Sequence, residues 1–130
     1  MSFVPYFVYR DGEAALDWLT RAFGFEVVTR VPGEDGALLH AELRHGDAYM
    51  MVGTATPAQK VTTPWDLPRG HGVYVAVDDD LDARHARAVA AGATIIEEPV
   101  DTGLGTRRFR ALDLDGYEWS FGTYVPGAPS

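Results

Sequence analysis

His40 and Glu42 stand two residues apart in this 130-residue chain, and Arg108 with Arg110 and Glu118 with Ser120 repeat that spacing. On an extended strand such pairs leave the same face, so a carboxylate can orient an imidazole for proton transfer, or opposite charges can close into a rim ion-pair network. Serine occurs only at Ser2, Ser120 and Ser130, so a Ser-His-acid triad would have to use Ser120, which lacks the glycine pattern of a nucleophile elbow. Gly103-Leu104-Gly105-Thr106 has neither the lysine nor the strand-to-helix setting of a phosphate loop. Cysteine is absent, which removes disulfides, thiolate zinc sites and thiol nucleophiles together. Any metal would need His, Asp or Glu.

The elements that carry these residues must come from an acidic chain. Nineteen Asp and Glu against eleven Lys and Arg leave a formal charge of −8, and no basic cluster exceeds Arg107-Arg108, which argues against nucleic acid as a partner. Apolar residues make up 46%, enough for the core of one domain. The first ten residues lack a basic n-region and the apolar length of a membrane span, so the expectation is a cytoplasmic protein without a membrane partner.

An internal repeat organises the rest. Asp11 to Gly24 and Asp79 to Gly92 are both 13 residues apart, each interval reads as a helix between two extended runs, and Tyr6 falls on Tyr74 at an offset of 68. Ala15, Trp18, Leu19, Ala22 and Phe23 form the apolar stripe of the first helix, which places Trp18 in the core. Ala83, Ala86, Val89 and Ala90 form that of the second, which leaves His85 solvated, and Gly24 and Gly92 sit as C-terminal caps. Asp78-Asp79-Asp80 reads as the N-terminal cap of the second helix. Each half continues with two more strands related by an offset of 70, Leu38–Gly46 over Arg108–Gly116 and Tyr49–Met51 over Trp119–Phe121. The expected fold is α+β: two tandem βαβββ modules, residues 1–53 and 71–125, in a single domain, with 54–70 as a Thr- and Pro-rich linker carrying Trp65.

In this order, Arg10-Asp11, Ala14–Leu19, Ala22–Phe25, Val75–Asp78, Ala91–Ala93 and Asp113–Trp119 resemble the vicinal oxygen chelate superfamily, the glyoxalase and bleomycin-resistance fold, over nearly the whole chain. The resemblance implies two modules curling into a cup with helices on the convex side, usually in a homodimer. It also implies that metal-using members place His or Glu on the first and last strand of each module. Carried over by the repeat, those positions are Val4, Met50, Gly72 and Ser120, none of them a carboxylate or an imidazole. No metal and no cofactor is therefore expected.

Strand alternation assigns Leu39, Ala41, Leu43, Tyr49, Met51, Phe109, Ala111, Trp119 and Phe121 to the helix-facing side. It gives the cup Tyr6, Val8, Leu38, His40, Glu42, Arg44, Met50, Tyr74, Arg108, Arg110, Glu118 and Ser120. Tyr6 and Tyr74 would clamp a planar ligand or fill the centre of the sheet; Trp65 would serve as a lid, a dimer contact or packing under its loop. The preferred expectation is a metal-independent protein of the bleomycin-resistance type, sequestering a planar or cationic small molecule such as an antibiotic. The alternative is a glyoxalase- or dioxygenase-like enzyme, a lyase or isomerase. It would use displaced ligands such as Glu42 and Glu118, or metal-free acid-base catalysis by Glu118 or His40. A third possibility is a cup filled by its own side chains.

Overall fold

The structure, a computed structural model, describes residues 2–55, 70–78, 80–103 and 105–127. Trp65, expected as a lid or contact, lies outside the described residues. The chain runs β1 (Tyr6–Tyr9), α1 (Gly12–Phe23), β2 (Glu26–Pro32), β3 (Leu38–His45), β4 (Ala48–Thr54), β5 (Gly72–Ala76), α2 (Leu81–Ala90), β6 (Thr94–Asp101), β7 (Arg107–Leu112) and β8 (Glu118–Gly122). Two four-stranded mixed sheets result, ordered β1-β4-β3-β2 and β5-β8-β7-β6, with β1/β4 and β5/β8 parallel and the hairpins antiparallel. These are two tandem βαβββ modules.

Local chemistry sets the helix ends. Asp11 accepts the amide of Ala14 at 3.1 Å and opens α1. Gly24 closes it in the left-handed region at φ 76°, where its amide reaches the Thr20 carbonyl. All five residues of the expected α1 stripe are buried. Helix α2 departs from expectation in two ways. Asp80 makes no capping bond and instead holds Arg84 at 3.1 Å. The buried face is Leu81 and Ala88, whereas Val89 is 50% exposed and Ala83, Ala86 and Ala90 face out. Alanine contributes too little apolar surface to orient a helix, so Leu81 decides the face. That rotation brings His85 inward, half-buried and edge-on to Phe109 rather than solvated.

Strand parity also needs correction in the first module. Leu38, Ala41 and Leu43 of β3 and Met50 and Val52 of β4 are buried against α1, while Leu39 is 65% exposed and Tyr49 and Met51 lie on the open face. Shifts in register between Val27 and Thr29 and between Val31 and Pro32 break simple alternation along β2 and β3. In the second module Phe109, Ala111, Trp119 and Phe121 face the helix as alternation predicts.

The modules share one core. Trp18 Nε1 donates to the Ala91 carbonyl at 2.8 Å. Arg87 donates to the Arg21 and Thr20 carbonyls at 2.8 and 3.1 Å, so a side chain of α2 satisfies the open end of α1. Phe23 contacts both Trp119 and Phe121, at centroid separations of 5.2 and 4.9 Å. At the centre Asp113, almost fully buried, accepts from Tyr9 Oη at 2.7 Å, Trp119 Nε1 at 2.9 Å and the amides of Asp115 and Tyr117 at 3.0 Å each. Burial raises the Asp113 carboxyl above the ordinary carboxylate range even against these four donors, and burial beside it raises the Tyr9 hydroxyl well above its usual value.

Candidate functional site

Each sheet buries one face against its helix and leaves the other open. Register pairs Tyr6, Met51, Glu42 and Thr29 into one row across the first sheet, and Tyr74, Ser120, Arg110 and Glu97 into the matching row across the second. The strands therefore correspond at offsets of 68 and 69, not 70: Met51, not Met50, stands where Ser120 stands, and Glu42, not His40, lies over Arg110. Met50, expected at the site, is 6% exposed in the core.

Of the residues expected to bind a ligand, Tyr6, His40 and Glu42 share the open face of the first sheet, and Tyr74, Arg108, Arg110, Glu118 and Ser120 share that of the second. Thr29, Tyr49, Met51, Gly53, Glu97 and Gly122 join them although they were not foreseen. Gly53 and Gly122 stand at equivalent points near the ends of β4 and β8, and that recurrence is the signal from which they could have been found.

The charged groups on these faces are tied down. His40 Nε2 lies 3.0 Å from Glu42 Oε2, and this bond, helped by Thr29, holds the Glu42 carboxyl below its ordinary value. Arg44 meets Glu26 at 2.7 Å, Arg108 meets Glu97 at 2.6 Å and Arg110 meets Glu118 at 2.7 Å. Glu97 and Glu26 raise the guanidinium pKa of Arg108 and Arg44 in turn.

The two equivalent tyrosines differ. Tyr6 stands 70% exposed, whereas Tyr74 is 36% exposed and donates its hydroxyl to the Tyr124 carbonyl. A Cβ added at Gly122 would lie 2.5 Å from Tyr74 Oη and 2.9 Å from its Cε1, so the ring rests against bare backbone. Gly53 offers the same opening in the first module, where among the described residues only the Leu39 carbonyl approaches it, at 3.2 Å.

The positions where the resemblance implies metal ligands hold Val4, Met51, Gly72 and Ser120. Thioether, hydroxyl and hydrocarbon are a poor donor set for a divalent cation. Gly72 is closed sterically as well, because a Cβ there would lie 2.9 Å from the Glu118 carbonyl oxygen. Among the described residues no three His, Asp or Glu side chains converge to hold an ion. The residues present do not fit a metal at these positions. A groove of about 1060 Å³ opens elsewhere, beside Val77, Leu81, Asp101 and Arg107, and none of the expected site residues lines it. No described helix is long and apolar enough to cross a membrane.

Comparison with known proteins agrees with the fold. The model of the Glyoxalase/Bleomycin resistance protein/Dioxygenase superfamily matches residues 5–121, and the chain belongs to that superfamily. It is 34% identical over 124 residues to an uncharacterized protein of Mycobacterium bovis, covering 93% of this chain and 82% of that one. It is also similar to the crystal structure of TioX from Micromonospora sp. ML1, at 32% identity and TM-score 0.72, covering 96% and 99% of the two chains. The fosfomycin resistance protein FosX from Mesorhizobium loti shares the fold at 17% identity and TM-score 0.72, covering 97% and 93%.

Proposed function

We propose that this chain is a metal-independent small-molecule binding protein of the glyoxalase/bleomycin-resistance type. It would hold a flat organic compound, such as an antibiotic, on its open sheet faces. The observation that carries the reading is the row Tyr6-Met51 with its counterpart Tyr74-Ser120. A ring and a thioether occupy the centre of one face, a ring and a hydroxyl that of the other, and Gly72 stands where a metal ligand would have to project. Apolar walls with a few fixed polar groups are what small-molecule sites present.

Leu39 and Tyr49 of the first module are large and exposed, which supports a homodimer in which a second copy covers part of that module. Light scattering should return twice the chain mass of 14.2 kDa. A compound captured by the protein should be recovered unchanged by mass spectrometry, and recovery of a modified compound would refute the reading. The His40–Glu42 pair favours one other reading, metal-free proton transfer with His40 as base. It requires that a bound compound exchange a C–H proton with D2O and that His40→Asn abolish exchange while binding persists.

A further inference from the structure

The dipeptide Asp-Gly occurs three times in the chain, at Asp11-Gly12, Asp35-Gly36 and Asp115-Gly116. It carries a chemistry of its own. The glycine amide nitrogen can attack the aspartyl Cγ, closing a five-membered succinimide and expelling one water, and the missing glycine side chain leaves that approach open. A water then adds to the ring. Opening at Cγ restores aspartate; opening at the main-chain carbonyl leaves isoaspartate, whose backbone runs through Cγ and is one methylene longer, with a free α-carboxylate and no net change of mass. The attack needs a glycine N–H released from its hydrogen bond and a carboxyl free to turn toward it, so the fold decides which of the three dipeptides reacts.

Two of them are held. Asp11 Oδ1 caps α1 by accepting the Ala14 amide at 3.1 Å, and the buried Gly12 amide donates to Thr54 Oγ1 of β4 at 3.0 Å. Asp115 is 7% exposed: its Oδ2 accepts the Arg10 amide at 2.8 Å, its own amide donates to Asp113 Oδ1 at 3.0 Å, and the Gly116 amide donates to the Asp113 carbonyl at 3.0 Å. Freeing either glycine means pulling α1 off β4 or opening the core around Asp113, which approaches the cost of unfolding the whole chain.

Asp35-Gly36 stands in the turn between β2 and β3, where Glu34, Asp35 and Gly36 are all exposed. The Gly36 amide makes one turn bond, to the Gly33 carbonyl at 3.1 Å, and no described atom lies within 4 Å of the place a Cβ on Gly36 would take. Asp35 Oδ1 accepts the Ala37 amide at 3.0 Å, a bond that folds the carboxyl across the intervening Gly36. A solvent-facing turn bond opens at the low end of the local-opening range. The product is accommodated too, because a loop tip can absorb an added methylene that would displace a helix cap at Asp11 or a buried turn at Asp115.

We infer that Asp35 is a self-modification site, converted through a succinimide to isoaspartate in the folded protein, while the fold protects Asp11 and Asp115.

The full chain is aged at neutral pH, in native buffer and in guanidinium chloride, and then digested with trypsin. Cleavage after Arg10, Arg30 and Arg110 puts the three aspartates on separate peptides, and electron-transfer fragmentation tells isoaspartate from aspartate by where the backbone breaks. In native buffer isoaspartate should form at position 35 at least about tenfold faster than at 11 or 115, and in denaturant the three rates should converge to within about threefold. Asp11→Asn and Asp35→Asn give a faster readout, because asparagine closes the same ring with loss of ammonia; only Asp35→Asn should gain the mass of deamidation while folded. Native conversion at 11 or 115 as fast as at 35 overturns the inference, as does a native Asp35 that stays unchanged while its denatured counterpart converts. A denatured chain that keeps the native order of rates overturns it as well, since neighbouring residues and not the fold would then select the site.

Discussion

Replacing Asp113 with Asn exchanges one buried carboxylate oxygen for an amide nitrogen. Two of the four donors around Asp113 are backbone amides on Oδ1, and an Asn carbonyl still accepts them. The other two, Tyr9 Oη at 2.7 Å and Trp119 Nε1 at 2.9 Å, converge on Oδ2, where the NH2 now stands. A tyrosine hydroxyl can turn and accept; an indole N–H can only donate, so Trp119 is left against another donor inside the core. An orphaned buried donor costs about 1–3 kcal/mol, and loss of the charge assistance at Tyr9 adds to it. With a urea m-value of about 1.5 kcal/mol/M, the unfolding midpoint of Asp113→Asn should fall by about 1–2 M.

The pH dependence has a definite sign. Burial raises the folded-state pKa of Asp113, so the wild-type group contributes most below its unfolded value of about 3.9, and that contribution is lost as pH rises through the folded pKa. The stability difference between wild type and Asp113→Asn should therefore be larger at pH 4 than at pH 7. A variant with the wild-type urea midpoint at both pH values would refute the role assigned to Asp113.

Three further outcomes follow from the same contacts. Arg87→Ala uncaps the last carbonyls of α1 and should lower stability by about 0.5–1.5 kcal/mol, read as a drop in melting temperature of a few degrees, with ligand affinity unchanged. Gly72→Ala forces a methyl to within 2.9 Å of the Glu118 carbonyl oxygen and should cost about 1–3 kcal/mol in chemical denaturation, so a metal ligand cannot simply be restored there. His40→Asn removes the bond that holds the Glu42 carboxyl low, and carbon-detected NMR should show its titration move up toward the ordinary glutamate value. In wild type the stabilisation from that bond is present above the unfolded pKa and fades as pH falls through the folded one.

The repeat, the first helix and the second-module strands were legible because their signals are strong: Leu19 and Phe23 against Asp17 and Arg21 on α1, or Phe109, Ala111 and Trp119 against Arg108, Arg110 and Ser120. Register in the first module was not. Leu38 and Leu39 are alike, and Met50 and Met51 are identical, so alternation has nothing to choose between, and the extra residues in β2 and β3 removed the remaining reference. Pairing each residue with its hydrogen-bonded neighbour exchanges Met50 for Met51 and brings Thr29 and Glu97 into the site. Asp113 was visible only as part of a run. An acid between Leu112 and Leu114 is a sign of burial, but the Tyr9 hydroxyl that donates to it lies 104 residues away and nothing local points to it.

The repeat makes the two halves look interchangeable, yet at their junction they divide the labour. The first half brings the donor Tyr9 and the carbonyls at the end of α1; the second brings the acceptor Asp113 and the guanidinium of Arg87. Expressed alone, the first half carries the Tyr9 hydroxyl without the carboxylate it donates to, and the second carries the Arg87 guanidinium without the helix end it donates to. A chain made of two copies of either half would lack these bonds across the junction.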